Sequence, residues 1–229
     1  MALEVSTIKS KVKWAFETVA GVRPTSGYET LPDVVEAPDI DFDLTTMDCS
    51  NIMDEVTRYM DGRLDPGGTK QFKFNHTDGI IAKWNTICTQ AVGKLAEGKR
   101  LWFEYAYPTG NNSFYWCGMP KTFGNSGITG NAVSQLTGNV VFNGTEQWQP
   151  KSTQIALASA TTSVAAEGTV DVNVTNPKGT FTAISTDNSV CTVAVGTGKI
   201  TISGLKSGVA VVTVKDENLD EASVVVTVS

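Results

Sequence analysis

The sequence predicts a mainly β protein in two parts. Residues 1–150 read as a β-barrel or sandwich with one packed α-helix and a long loop, and residues 151–229 as a β-sandwich. Three observations carry this. Strand-type alternation recurs along the chain, whereas only one stretch keeps helical spacing over several turns. Aromatic residues are sharply partitioned: all five Trp, all five Tyr and eight of nine Phe precede residue 150, and Phe181 alone comes after it. Short Val/Thr/Ala runs separated by turn signals fill the remainder.

The first part is organised around Lys70–Tyr107, which reads as strand, helix, strand. Lys70–Asn75 alternates polar and apolar residues. Asp78-Gly79 breaks the strand, and Asp78 is placed to cap a helix. From Ile80 to Ala96 the residues Ile80, Ile81, Trp84, Ile87, Cys88, Ala91, Val92 and Leu95 fall at spacings of three and four. That is one face of a helix turned to a core, with Lys83, Asn85, Thr86, Gln90 and Lys94 outside. Gly98 is its stop signal. Leu101–Tyr107 resumes an aromatic-rich strand, which Pro108 ends.

Around that unit the chain is mostly extended. Val12, Trp14 and Phe16 share one face of an N-terminal strand, and Gly21–Pro32 is a loop. Asp39–Leu44 alternates, placing Asp39, Asp41 and Asp43 on one strand face. A calcium loop turns sharply about a glycine to wrap its ligands, so a solvated face, or one lining a water-filled channel, fits these carboxylates better. Met47–Lys70 is a long connection in which Ile52–Met60 reads as a short helix. Its Met53, Tyr59, Met60 and Leu64 beside Arg58 and Arg63 suit docking on another protein or cover of the chain's own core. Ser113–Met119 is a further strand, Lys121–Asn131 a glycine-rich bend and Val133–Phe142 the last strand. Gln149–Ser152 is the linker.

Composition narrows function. The formal net charge is −6. Residues 1–150 hold 13 basic against 17 acidic side chains, net −4, and residues 151–229 hold 5 against 7, net −2. Neither part is built to grip phosphates. Cys49, Cys88, Cys117 and Cys191 show no metal-ligand spacing and read as free thiols. The one histidine, His76, sits at a strand end and reads as structural. No nucleophile motif, phosphate loop or metal spacing is present, so the expectation is a protein that is not an enzyme and uses no cofactor. No apolar run reaches the length of a membrane span. Met-Ala-Leu-Glu-Val-Ser is not a signal-peptide start, which leads us to expect a product made in the cytoplasm without translocation.

In the last 79 residues, strands are expected at Ile155–Ala158, Thr169–Val174, Thr180–Ser185, Val190–Val195, Lys199–Ser203, Val209–Lys215 and Ala222–Val228. The residues Ser185-Thr186-Asp187-Asn188-Ser189-Val190, Thr192-Val193, Gly198-Lys199-Ile200-Thr201-Ile202, Gly204-Leu205, Ser207-Gly208, Ala210 and Val212-Thr213-Val214 carry a likeness. The segment resembles the bacterial immunoglobulin-like group 2 domain, in which Gly204 and Gly208 would supply tight bends. That resemblance implies an exposed decoration, with a cell-surface glycan as candidate ligand and no catalytic residue.

The order of parts in residues 1–150 resembles the major tail tube protein of a long-tailed phage with a non-contractile tail. The parts are an N-terminal strand, the acidic Asp39–Leu44 strand, the Met47–Gly68 loop, the Lys70–Asn75 strand, the single helix, the Arg100–Tyr107 strand and two further β segments. The resemblance implies a tail-tube-like fold whose subunits form hexameric rings, stacked into a tube through which DNA passes without specific binding. It also implies a place in the virion, with tape measure, tail terminator and distal tail proteins as partners. The long loop would contact the next ring through Arg58, Tyr59, Met60, Arg63 and Leu64, and Asp39, Asp41 and Asp43 would serve an acidic lumen. The rival reading is a surface adhesin or carbohydrate-binding module.

Overall fold

The computed structural model describes residues 10–65, 68–108, 110–125, 127, 130 and 132–229, with the backbone alone for residues 43–45 and 63–65. The fold is mainly β with one helix. The chain divides into two units. The first takes residues up to Pro24 and Leu31–Pro150; the second takes Lys151–Ser229 together with Thr25–Thr30.

In chain order the strands are β1 (Lys11–Phe16), β2 (Glu29–Thr30, in the second unit), β3 (Val34–Glu36), β4 (Asp43–Asp48), β5 (Tyr59–Asp65) and β6 (Thr69–Asn75). Helix α1 (Asp78–Ala96) comes next, then β7 (Leu101–Ala106), β8 (Asn112–Pro120), β9 (Gly124–Asn125) and β10 (Gln135–Pro150). In the first unit β1-β7-β8-β10-β6-β3 lie side by side, with β9 against β10. The pairings are antiparallel. β10 runs far beyond the expected Phe142 because two register shifts, at Phe142/Gly144 and Thr145/Gln147, bend it and keep it paired with β8.

Helix α1 starts one residue earlier than the Asp78 cap implies. Thr77 is the N-cap, its Oγ1 accepting from the Ile80 N–H, while Asp78 sits in the first turn, where a carboxylate favours the helix dipole. At the other end Gly98 takes φ +72°, and the Gly98 and Lys99 N–H groups donate to the Leu95 and Lys94 carbonyls. A side chain at Gly98 would strain that left-handed turn. Only Ile80, Trp84, Ile87 and Ala91 of the expected apolar face are buried. Val92 and Leu95 are exposed, because the sheet covers a narrower arc than the apolar residues span.

The core under the helix is aromatic. Trp84 is fully buried, stacks on Phe123 with ring centroids 5.3 Å apart, and donates from Nε1 to the Lys121 carbonyl at 2.8 Å. Phe72 and Phe103 stack on Trp116 at 5.9 and 4.7 Å.

The opposite face of the central strands is buried too, and it sets charged groups among apolar ones such as Ala15, Trp102 and Cys117. Lys13, Glu17 and Glu104 are almost wholly excluded from solvent. Glu104 Oε1 accepts from the Tyr115 hydroxyl at 2.8 Å, and the Arg23 guanidinium lies 4.1 Å over the Tyr115 ring. Glu17 accepts from Arg100 Nε and Trp102 Nε1 at 2.8 Å each and from the Gly21 N–H at 2.7 Å. Burial alone would raise the Glu17 pKa. The bonds from Trp102, Gly21 and Arg100 outweigh it and hold the carboxyl below its ordinary range.

A group with a depressed folded-state pKa stabilises the fold above its unfolded pKa and loses that contribution as pH falls through the folded value. Glu17→Gln is therefore expected to cost about 1.5 kcal/mol at neutral pH, by weakening the charge-assisted bonds to Arg100, which is a third exposed, and to Trp102. The variant should also lose part of the acid-side slope of stability. Urea titrations from pH 7 to pH 3 check this; parallel curves for the two proteins would remove Glu17 as the cause.

The second unit is a β-sandwich. Its strands are β11 (Ala156–Leu157), β12 (Thr161–Val164), β13 (Thr169–Thr175), β14 (Phe181–Ser185), β15 (Cys191–Gly196), β16 (Lys199–Gly204), β17 (Gly208–Asp216) and β18 (Glu221–Val228). Two four-stranded sheets form, β11-β13-β16-β15 and β12-β18-β17-β14. Val172, Ile200 and Ile202 of one meet Val212, Val214, Val224 and Val226 of the other in a single core. β12 is additional to the expected strands: Thr161–Val164 pairs in parallel with the distant β18. Gly204 is needed for close approach rather than a bend, since a Cβ there would lie 2.6 Å from the Ala165 carbonyl oxygen.

The Thr25–Thr30 segment is held to this unit by Asn218. Its Nδ2 donates to the Tyr28 carbonyl at 2.6 Å, and its Oδ1 accepts from the Thr30 N–H at 2.8 Å. A Lys178–Glu29 ion pair at 2.8 Å and a bond from the Thr153 N–H to the Thr25 carbonyl add to the grip.

Candidate interaction site: the β4–β5 hairpin

The segment expected as a loop with a short helix is a β-hairpin with no helix in it. β4 and β5 pair antiparallel, Met47 opposite Met60 and Asp48 opposite Tyr59, with a register shift between Leu44 and Thr46. They form a separate two-stranded sheet.

Side-chain to backbone bonds shape its tip, and they explain why the helix does not form. Asp48 Oδ1 accepts from the Ser50 N–H at 2.8 Å, and Ser50 Oγ from the Arg58 N–H at 2.7 Å. Asn51 Oδ1 accepts from the Met53 N–H at 2.8 Å, and Asp54 Oδ2 from the Asn51 N–H at 2.9 Å. Asp54 also pairs with Arg58 at 3.4 Å. Short polar side chains thus satisfy N–H groups that helical bonds would otherwise use. The Ser50 side chain and N–H hold the Asp48 carboxyl below its usual range.

The consequence is an inverted polarity. Polar side chains turn inward onto the loop backbone, while apolar ones point to solvent. Ile52 is 100% exposed, Met53 86%, Val56 76%, Tyr59 65%, Met60 56% and Met47 55%. Contiguous exposed apolar surface on a narrow hairpin marks an interaction site, because burial elsewhere is the usual fate of such side chains. A two-stranded hairpin is also marginal without a partner.

Of the residues expected here, Arg58, Tyr59 and Met60 are exposed on the hairpin. Arg63 and Leu64 belong to the β5 backbone, and their side chains lie outside the described residues. Met47, Ile52 and Val56 join the exposed apolar set without having been expected as contacts. The signal that finds them is the Asp48, Asn51 and Asp54 set, whose spacing favours turns over a helix.

The acidic alternation survives without the expected strand. Ile40 and Phe42 pack against the core and Asp39 and Asp41 are exposed, yet β4 begins only at Asp43. The Asp43 side chain lies outside the described residues. His76 Nδ1 is 3.0 Å from Ser134 Oγ, at the surface. Burial pushes the Cys88 and Cys117 thiols up to about 11, which makes them poor nucleophiles. Among the described residues no group of three or more His, Cys, Asp or Glu could hold a metal ion. No described helix is long and apolar enough to cross a membrane. The second unit has a cavity of about 180 Å³ lined in part by Tyr28, Lys178, Asp216, Asn218 and Asp220. Asp216 there accepts from the Lys178 and Asp220 N–H groups, so it organises the turn.

Fold and site together define a class: a mainly β protein with a two-stranded hairpin whose apolar side chains are exposed. No family model and no curated protein matches the chain. Among solved structures, the chain is similar to one from the six-fold symmetrised baseplate of the anti-feeding prophage, at 6% identity and a TM-score of 0.42. That match covers 64% of this chain and 97% of the other. It is also similar to SGBP-B of the Bacteroides ovatus mixed-linkage glucan utilization locus, solved with a mixed-linkage heptasaccharide. There the identity is 8% and the TM-score 0.25, over 96% of this chain and 60% of that one. At such distances function has to rest on the residues themselves.

Proposed function

We propose that the protein is a structural, non-catalytic subunit of a phage tail. Its first unit self-assembles into hexameric rings that stack into the tail tube, a conduit for DNA, and its second unit is an outward immunoglobulin-like decoration. The β4–β5 hairpin carries this reading: its outward Ile52, Met53, Val56 and Tyr59 call for burial by a partner. The order of elements around α1, which underlies the likeness to tail tube proteins, supports it. So does the sheet architecture, because joining sheets between subunits removes the edges that an open sheet leaves unpaired. The net −4 of residues 1–150 and the exposed Asp39 and Asp41 suit a wall that repels phosphate. Tape measure, terminator and distal tail proteins are the further partners this role requires.

Negative-stain electron microscopy of the purified protein over a concentration series tests the proposal. Hollow tubes or stacked rings are the expected result. Monomers that bind cell-wall glycans would favour an adhesin instead. The feature that would serve that role is Trp148, 56% exposed and stacked on Tyr107 at 5.7 Å, since exposed aromatic faces suit sugar rings.

A further inference from the structure

We infer that the hairpin of one copy docks on the exposed apolar flank of helix α1 of a second copy, making a head-to-tail contact. The inference rests on the self-assembly proposed above and names the surface that receives the hairpin. Within α1 the residues Ile81, Cys88, Val92 and Leu95 succeed one another at intervals of seven, four and three, so they form one stripe along the helix. That stripe is offset from the face of Ile80, Trp84, Ile87 and Ala91 that the sheet covers. Its C-terminal half is open, with Val92 64% and Leu95 53% exposed. The open face of a surface helix typically carries charged and polar residues.

Charge favours the same pairing. Residues 47–61 hold Asp48, Asp54, Glu55 and Asp61 against Arg58, net −3. The helix end holds Lys94, Lys99 and Arg100 against Glu97 and the Glu17 carboxylate that pairs with Arg100, net +1, in a chain of net −6. An apolar, acidic hairpin and an apolar helix end with a basic surplus are complementary, whereas two hairpins brought together would juxtapose like charges. Because the two patches differ, a pair of subunits keeps one of each free after its first contact, the helix flank on one copy and the hairpin on the other. That is a heterologous interface, which propagates into a ring or a stack instead of stopping at a dimer.

Two interface variants test this, each at exposed positions that leave the core untouched. Val92→Glu and the double substitution Ile52→Glu/Met53→Glu should each raise the concentration needed for assembly by at least about tenfold, with unchanged thermal melts. Leu95→Glu repeats the helix test independently. Mixed one to one, a helix variant and the hairpin variant retain one intact patch each. Sedimentation velocity should then show a heterodimer that grows no further. Assembly of Val92→Glu and Leu95→Glu at the wild-type concentration would overturn the helix as receiver while leaving the tube reading in place. Mixtures that remain monomeric would overturn it too. Wild-type protein that never self-associates would overturn both readings.

Discussion

Trp84→Ala is expected to destabilise the first unit by about 4 kcal/mol. The indole is fully buried, stacks on Phe123, and meets Phe72 and Phe74 at 6.1 and 5.3 Å. Removing it opens a cavity between α1 and the sheet that rigid aromatic neighbours fill poorly. It also deprives the Lys121 carbonyl of its 2.8 Å donor, adding a lost hydrogen bond to the cavity cost. The melting temperature of the unit should fall by on the order of 10 °C. Trp148→Ala is the matched control: the same atoms leave, but from a half-exposed site, and the cost should stay below about 1.5 kcal/mol. Thermal unfolding followed by near-ultraviolet circular dichroism compares them. Equal losses for the two would mean that the α1 core is not where the stability resides.

The double substitution Ile52→Glu/Met53→Glu should give the opposite pattern, with stability unchanged and assembly lost. Both side chains are already in water in the single chain, so charging them removes no intramolecular packing. The tip is shaped by Asp48, Ser50, Asn51 and Asp54, which the variant keeps. In the interface proposed above the two new carboxylates would replace apolar side chains against Val92 and Leu95 and have to be desolvated there, a cost that burial of the remaining apolar surface does not offset. We expect tubes to vanish from the concentration series while the melting curve overlays that of the wild type. Tubes at undiminished yield would take the hairpin out of the interface. A lowered melting temperature would instead show that these residues cover the chain's own core.

Where local pattern and burial coincide, the sequence is a sufficient guide. The strands of the sandwich were legible from Thr169 to Val228 because alternate Val and Ile face a single core and Asn, Asp and Gly mark the turns between them. The extent of α1 was legible for the same reason, down to the left-handed Gly98 that ends it. Asp39 and Asp41 are exposed, although the strand expected there starts only at Asp43.

Other features depend on which distant segments meet. β12 is a short polar stretch whose strand character comes from parallel pairing with β18 more than 60 residues later. Lys13, Glu17 and Glu104 look like solvent-facing residues of alternating strands, yet neighbouring segments cover that face and make them buried partners. Asn218 reads as a turn residue, and only the fold brings it to Tyr28 and Thr30.

By itself, the sequence determined the β-rich class, the single helix and the alternation of the sandwich, because periodicity is a local property of the backbone. Tertiary structure alone decided that Ile52–Met60 belongs to a hairpin tip, that Val92 and Leu95 stay uncovered, and that Lys13, Glu17 and Glu104 are buried. Burial is a property of what packs against a residue, and the spacing of side chains along one segment does not encode its neighbours.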